Sequence, residues 1–313
     1  MSVQVIEGFE NLPASARGCV LAVGNFDGFH LGHREILRTA RRLADGAGAP
    51  LVVVAFDPPP AALLAPDRPV QVLLPKEVKY RLLGQHGADA VVVIATTREF
   101  LHSSPEAFVR DVLVGRFAAR HVVEGENFFF GRDRAGDIQT LRRMAKEGGF
   151  EVTAVPPVSL KLAGRGRVQV SSSLVRELVL SGDVAAAGRC LGRPYALHGR
   201  VVGGERRGRL LTFPTANVEP AGVIAPADGV YAARAELGGK TYPSAVSIGD
   251  KPTFGPAQRC IEANLIDAAG DFYDQPITLV FLRRLRDQIR FPDAESLRAQ
   301  IAKDVERVRE LCR

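Results

Sequence analysis

The sequence has no tryptophan, only two methionines and only four cysteines. Cys19, Cys190, Cys260 and Cys312 are scattered, with no CxxC pair among them. That spacing excludes a thioredoxin-type dithiol and a cysteine-rich zinc module. Isolated thiols suit a reducing compartment, so a cytoplasmic location is expected. No stretch approaches the ~18 consecutive apolar residues that a spanning helix needs, and no membrane partnership is expected. Residues 1–10 carry acidic side chains and lack the basic-then-apolar order of a secretory signal. Internal repeats, low-complexity tracts and long basic runs are absent as well.

What is present is ordinary globular composition: 46% hydrophobic and 24% charged residues, which sets aside disorder. A length of 313 residues exceeds what one hydrophobic core usually supports, so two domains are expected. The net charge is +6, from 41 Lys and Arg against 35 Asp and Glu. That balance suits anionic ligands. The arginines are dispersed apart from short groups such as Arg206-Arg207-Gly208-Arg209 and Arg283-Arg284. Small phosphorylated molecules are therefore expected as ligands, and nucleic acid is not.

The first half alternates β-branched runs with helical patterns. Strands are expected over 20–23, 51–56, 90–94, 121–124 and 151–155, and helices over 33–44, 76–86, 105–117 and 138–147. Such alternation predicts βαβ units and a parallel sheet covered on both faces. Helical patterns run again from about residue 172 to 191, where Gly192-Arg193-Pro194-Tyr195 breaks them. Short alternating strands follow over 230–235, 244–248, 261–266 and 277–281, separated by Gly and Pro turns. That texture predicts a small antiparallel barrel, closed by a last helix over 295–312.

The first strand runs into Gly24-Asn25-Phe26-Asp27-Gly28-Phe29-His30-Leu31-Gly32-His33, and this loop feeds a helix. The carboxyl end of a parallel strand is where open α/β sheets bind ligands. Glycines let the backbone approach a phosphate, and a helix N-terminus offers free N–H groups. His30 and His33 can face one triphosphate and donate hydrogen bonds to charge building on the α-phosphate and the departing pyrophosphate. A capped turn carrying two surface histidines is the plainer reading. Ser171-Ser172-Ser173 with Arg176 opens another helix, as simple N-caps or as a grip on phosphates. Phe128, Phe129 and Phe130 are either core or a stacking face for a flavin or adenine ring.

In the second half, Gly203-Gly204-Glu205-Arg206-Arg207-Gly208-Arg209 is a basic glycine-rich loop without a Walker A ending. Thr215 and Asn217 lie two apart, so on an extended segment they face one way. Their oxygens are hard ligands suited to Mg²⁺, or part of a polar turn. Glu262 stands alone in an apolar strand pattern. It is either a solvent-face residue or a general base beside bound phosphates.

GNFDGFHLGH, ENFFFG with Gly136 beyond it, and SSSLVR occur in this order over roughly the first 180 residues. LGRPY, RRGR, FPTAN, GVYA, SIGDKPTF and IEANLID follow from Leu191 onwards. In these motifs the chain resembles the bacterial bifunctional riboflavin kinase/FMN adenylyltransferase (FAD synthetase) family. The resemblance implies a Rossmann-like nucleotidyltransferase domain over 1–185 and a riboflavin kinase barrel over 186–313. It implies phosphorylation of riboflavin to FMN and adenylylation of FMN to FAD, with ATP as co-substrate, Mg²⁺ as cofactor and flavoproteins as clients. Catalytic roles fall on Glu262, as base for the ribityl 5′-hydroxyl, and on His30 and His33. ATP and its phosphates are assigned to Gly24, Asn25, Asp27, Gly32, Ser172, Ser173, Arg176, Gly203, Arg209, Thr215 and Asn217. The flavin is assigned to Asn127 and Phe128, and Mg²⁺ to Thr215 and Asn217. Three positions depart from the usual pattern. Pro59 stands where a His is usual, Thr212 where a Gly is usual, and Asn264 where a His is frequent. Pro59 leaves its loop without an imidazole for the triphosphate, so adenylylation is expected to be the weaker activity, unless Arg68 or Lys79 supplies the positive contact. Two other readings remain open: an enzyme in which only the kinase turns over, and a flavin- or nucleotide-binding regulatory module. Glu262 speaks against the last, since a binder needs no base.

Overall fold

A computed structural model of the chain describes residues 3–67, 70–203, 215–250 and 259–312. The described residues form two compact units. The first comprises residues 1–70 and 76–171, and the second residues 71–75 and 172–313.

The first unit is built on a six-stranded sheet of order β1-β4-β3-β2-β5-β8. Its strands are β1 (Gln4–Glu7), β2 (Val20–Val23), β3 (Leu51–Asp57), β4 (Ala90–Ala95), β5 (His121–Gly125) and β8 (Glu151–Val155). All pairings in it are parallel. The central strands are buried throughout, as in Val20–Val23 and 51–55, because helices cover both faces of a parallel sheet. Those helices are α1 (Leu31–Ala47), α3 (Lys76–Gln85) and α6 (Ile138–Gly148), with the short α2 (Pro60–Leu64) and α4 (Arg98–Leu101) at the loops. The expected helix over 105–117 starts as one α-turn, α5 (Pro105–Ala107), capped by Ser104. It continues as a π-helix over Phe108–Arg116, which the apolar spacing alone does not distinguish from an α-helix. Two hairpins complete the unit: β6 (Phe129–Phe130) with β7 (Gly136–Asp137), and β9 (Ser159–Leu162) with β10 (Gly166–Gln169).

The second unit opens with α7 (Ser172–Leu180) and α8 (Val184–Leu191). Gly192 ends α8 in the left-handed conformation. A closed barrel follows, of order β11-β12-β15-β14-β13-β16, with β16 returning to β11. Its strands are β11 (Tyr195–Val202), β12 (Thr215–Pro220), β13 (Gly229–Leu237), β14 (Lys240–Asp250), β15 (Arg259–Leu265) and β16 (Pro276–Arg286). All are antiparallel, and closure leaves no free sheet edge. The terminal helix α9 (Ala294–Cys312) packs on β13 and β14 and is fastened by Arg286, which donates to the buried Asp304 carboxylate at 2.8 Å. The α/β class with a parallel sheet, a small antiparallel barrel and a terminal helix is thus the architecture observed.

Candidate active sites

In the first unit the loop 24–33 leaves β2 at the carboxyl edge of the sheet and delivers α1. Gly28 takes φ +76°, and Phe26 and Phe29 also adopt positive φ, at +48° and +40°. The two phenylalanines are buried at 2% and 0% exposure, so packing holds them in this strained turn. His30 is the N-cap of α1, its Nδ1 accepting the His33 N–H at 3.4 Å. The two imidazoles stack with centroids 3.6 Å apart. Phe26 and Phe29 pack on the His33 ring. Gly32 explains the glycine between the histidines, because a Cβ there would stand 3.1 Å from His30 Cε1 and force that ring aside. Gly24 donates its N–H to Val54 O at 3.0 Å, tying the loop to β3. The Asn25 side-chain oxygen is buried without a hydrogen-bond partner among the described residues. One loop thus brings together Gly24, Asn25, Asp27, Gly32, His30 and His33.

The ENFFFG segment spreads its aromatics over three environments. Phe130 is core, and Phe128 is half-buried, stacked on Phe130 at 5.5 Å. Phe129 is 46% exposed with the Arg134 guanidinium over its ring at 4.5 Å. The exposed aromatic is therefore Phe129, which spacing alone does not single out. Asn127 is exposed, and its Oδ1 occupies space that a Cβ on Gly125 would enter at 2.9 Å.

Two buried ionisable residues also lie in this unit. Glu124, 2% exposed near the end of β5, accepts the Val23 N–H, and burial pushes its carboxyl well above the usual range. Lys79, on the first turns of α3, is 7% exposed, and burial pushes its ammonium below the usual range while Asp27 and Asp57 pull it back up. Pro59 is the N-cap of α2, two residues beyond Asp57, the last residue of β3. Arg68 lies outside the described residues.

In the second unit, Ser172 and Ser173 open α7, and Arg176 donates its Nε to the Gln71 carbonyl at 2.7 Å. That bond ties the segment 71–75 to α7. On the barrel, Asn217 pairs with Glu262, and Glu262 with Ser247 on the next strand. Directly opposed residues share a face, so Asn217, Glu262 and Ser247 form one row across β12, β15 and β14. Their neighbours Ile261, Ala263, Val246 and Ile248 are buried on the other face. Thr215 pairs with Asn264 two places along, on the same face as Asn217. Ser247 Oγ accepts the Gln288 amide at 3.2 Å. Spacing along the chain does not reveal Ser247 as a neighbour of Glu262; strand register does. Gly203 is the exposed residue after β11. Arg209, Thr212, the rest of the loop 204–214 and the segment 251–258 lie outside the described residues.

The comparisons agree with this division of labour. Residues 12–173 match the family model described as FAD synthetase, and residues 191–312 the model described as riboflavin kinase. The bifunctional riboflavin kinase/FMN adenylyltransferase of Escherichia coli (strain K12) is 36% identical over 304 residues, covering 96% of each chain. That of Pseudomonas fluorescens is 36% identical, covering 99% of this chain and 98% of the relative. That of Bacillus subtilis (strain 168) is 35% identical, covering 91% and 90%. A solved structure from Streptococcus pneumoniae named a macrolide-efflux protein superposes with a TM-score of 0.88 at 29% identity, covering 99% of each chain. Among the described residues of this chain no helix is long and apolar enough to cross a membrane. Similarity over nearly the whole length, with both family models in order on one chain, shows that this chain belongs to the family of bifunctional riboflavin kinase/FMN adenylyltransferases.

Proposed function

We propose that this chain phosphorylates riboflavin to FMN on its barrel and adenylylates FMN to FAD on its parallel-sheet unit. The observation that carries the reading is the pair of stacked imidazoles on the N-terminus of α1, at the carboxyl edge of the sheet. In adenylylation an FMN phosphate oxygen bonds to the α-phosphorus of ATP, and the bond to the β-phosphate breaks. His30 and His33 donate hydrogen bonds to the charge that develops, and no protein nucleophile is needed. Gly24, Asn25, Asp27 and Gly32 shape the loop against the phosphates. Ser172, Ser173 and Arg176, which open α7 in the second unit, are read as phosphate ligands there. Asn127 and Phe128 take the flavin, with Phe129 as a further exposed ring.

On the barrel, Glu262 accepts the proton of the ribityl 5′-hydroxyl as that oxygen attacks the γ-phosphorus and ADP departs. Thr215 and Asn217 would hold Mg²⁺, which neutralises phosphate charge when bound. Their side-by-side oxygens, next to the Glu262 and Asn264 positions, suit a hard cation. Gly203 and Arg209 belong to the phosphate loop. The functional boundary is placed between residues 185 and 186, in the stretch between the two family matches. FMN- and FAD-dependent proteins are the downstream clients, and the cytoplasm is where the enzyme works. Incubation with riboflavin and Mg-ATP, followed by separation of FMN and FAD, tests the reading. Both products are expected, and absence of both would refute it.

A further inference from the structure

Among the charged groups of the first unit, Lys79 is one that the adenylylation reading leaves without a settled role. Lys76 and Lys79 lie three apart on α3, so they share a face of that helix. Lys76 is half-exposed and forms an ion pair with Asp57 at 2.9 Å. Lys79 is the opposite case. It is 7% exposed, and among the described residues no hydrogen bond or ion pair engages its ammonium. Its close polar feature is the face of Tyr80, whose ring centre lies 5.4 Å from Nζ. The charged groups that act on it are Asp27 from the loop after β2, Asp57 from the end of β3, and Lys76 on its own helix. Asp57 is already taken by Lys76.

A lysine buried this far with no anion in contact loses much of its hydration, and a ligand anion that reaches the ammonium restores the balance. Both aspartates that face Lys79 sit at the carboxyl edge of β2 and β3, where the stacked histidines stand. The missing counterion therefore belongs to a ligand that binds at this edge. We infer that Lys79 is a catalytic residue of adenylylation: its ammonium contacts the β- and γ-phosphates of ATP and stabilises them as they leave. The electron pair of the breaking α–β P–O bond goes to pyrophosphate. Lys79 donates hydrogen bonds to that anion and transfers no proton. A lysine is a compact point charge, suited to an anion whose charge grows during the step. The competing role is a brace that merely offsets Asp27.

The test measures FAD formation from supplied FMN and Mg-ATP in the full chain, for wild type, Lys79→Met and Lys79→Arg. Lys79→Met should lower kcat/KM about 10²–10³-fold, the usual loss for one preorganised donor to developing charge. Inhibition by added pyrophosphate should weaken at least about tenfold, as for a lost charged hydrogen bond. FMN formation from riboflavin in the same samples should be unchanged, and Lys79→Arg should restore most of the adenylylation. The wild-type rate should fall as pH rises through the lowered ammonium value, whereas the arginine variant should hold its rate to higher pH. Unchanged FAD formation and pyrophosphate inhibition in Lys79→Met would overturn the assignment. So would a loss that arginine does not restore, accompanied by a lower unfolding midpoint, since that describes a brace. If Lys79→Met does not fold, the arginine variant decides: a pH profile identical to wild type overturns the assignment. Wild type that makes FMN but no FAD would contradict the underlying adenylylation reading itself.

Discussion

Single side chains separate the two chemistries. Glu262→Gln keeps the shape of the side chain and its place in the row with Asn217 and Ser247, but it cannot accept a proton. FMN formation should fall about 10²–10⁴-fold, the usual worth of a general base. FAD formation from supplied FMN should be untouched. Product separation by chromatography reads both, and near-normal FMN output would remove Glu262 from the mechanism. The converse is expected for His30→Ala and His33→Ala: adenylylation falls about 10²–10³-fold while the kinase persists. His30→Ala also removes the N-cap of α1, worth about 1 kcal/mol, so its unfolding midpoint should drop slightly more than that of His33→Ala. Equal loss of both activities would point to misfolding. At this scale much of the chemistry is readable in advance. His30, Gly32 and His33 stand so close in sequence that any turn into a helix brings the imidazoles together. Lys79 is different: the sequence offers it only beside Arg68 as a possible positive contact, and the docking of α3 is what shows it buried.

At the scale of elements, the parallel strands announce themselves through continuous Val, Leu and Ile runs, and the helices between them follow. β1 (QVIE) is too short and polar to stand out, and it is fixed only by pairing with β4. β11 and β12 carry His198, Gly199, Arg200 and Glu219 among their apolar residues, so their alternation is blurred, and barrel closure rather than local pattern selects them. β5 holds the costliest residue of the sheet, Glu124. Its folded-state carboxyl titrates above its unfolded value. Below the unfolded value of about 4.3 both states are protonated and no penalty exists. As pH rises from there towards the folded value, the unfolded chain releases a proton that the folded chain retains, so stability is lost. Glu124→Gln should abolish this loss: relative to wild type, its urea midpoint should rise between pH 5 and pH 8. A constant difference across that range would mean that Glu124 ionises freely in the fold.

The whole molecule is two compact units, and their division falls between Ser171 and Ser172, earlier than the proposed functional boundary. The composition change at Gly192–Tyr195 marks the start of the barrel, but α7 and α8 already belong to the barrel's unit. Val175, Leu178 and Val179 of α7 are fully buried, each worth about 1.5–3 kcal/mol. A fragment 172–313 should therefore fold, phosphorylate riboflavin and unfold at clearly higher urea than a fragment 186–313, by several kcal/mol. Equal stability of the two fragments, measured by urea titration, would show that α7 adds nothing to the kinase unit.

The central claim is that one chain carries two phosphoryl chemistries on separate units. The most direct measurement is a time course of the full chain with riboflavin and Mg-ATP, in which riboflavin, FMN and FAD are resolved by chromatography. FMN should appear first and FAD should follow it, because FMN is the substrate of the second step. In Glu262→Gln, FAD should appear only when FMN is supplied. FMN that accumulates without any FAD, or neither product, would contradict the claim.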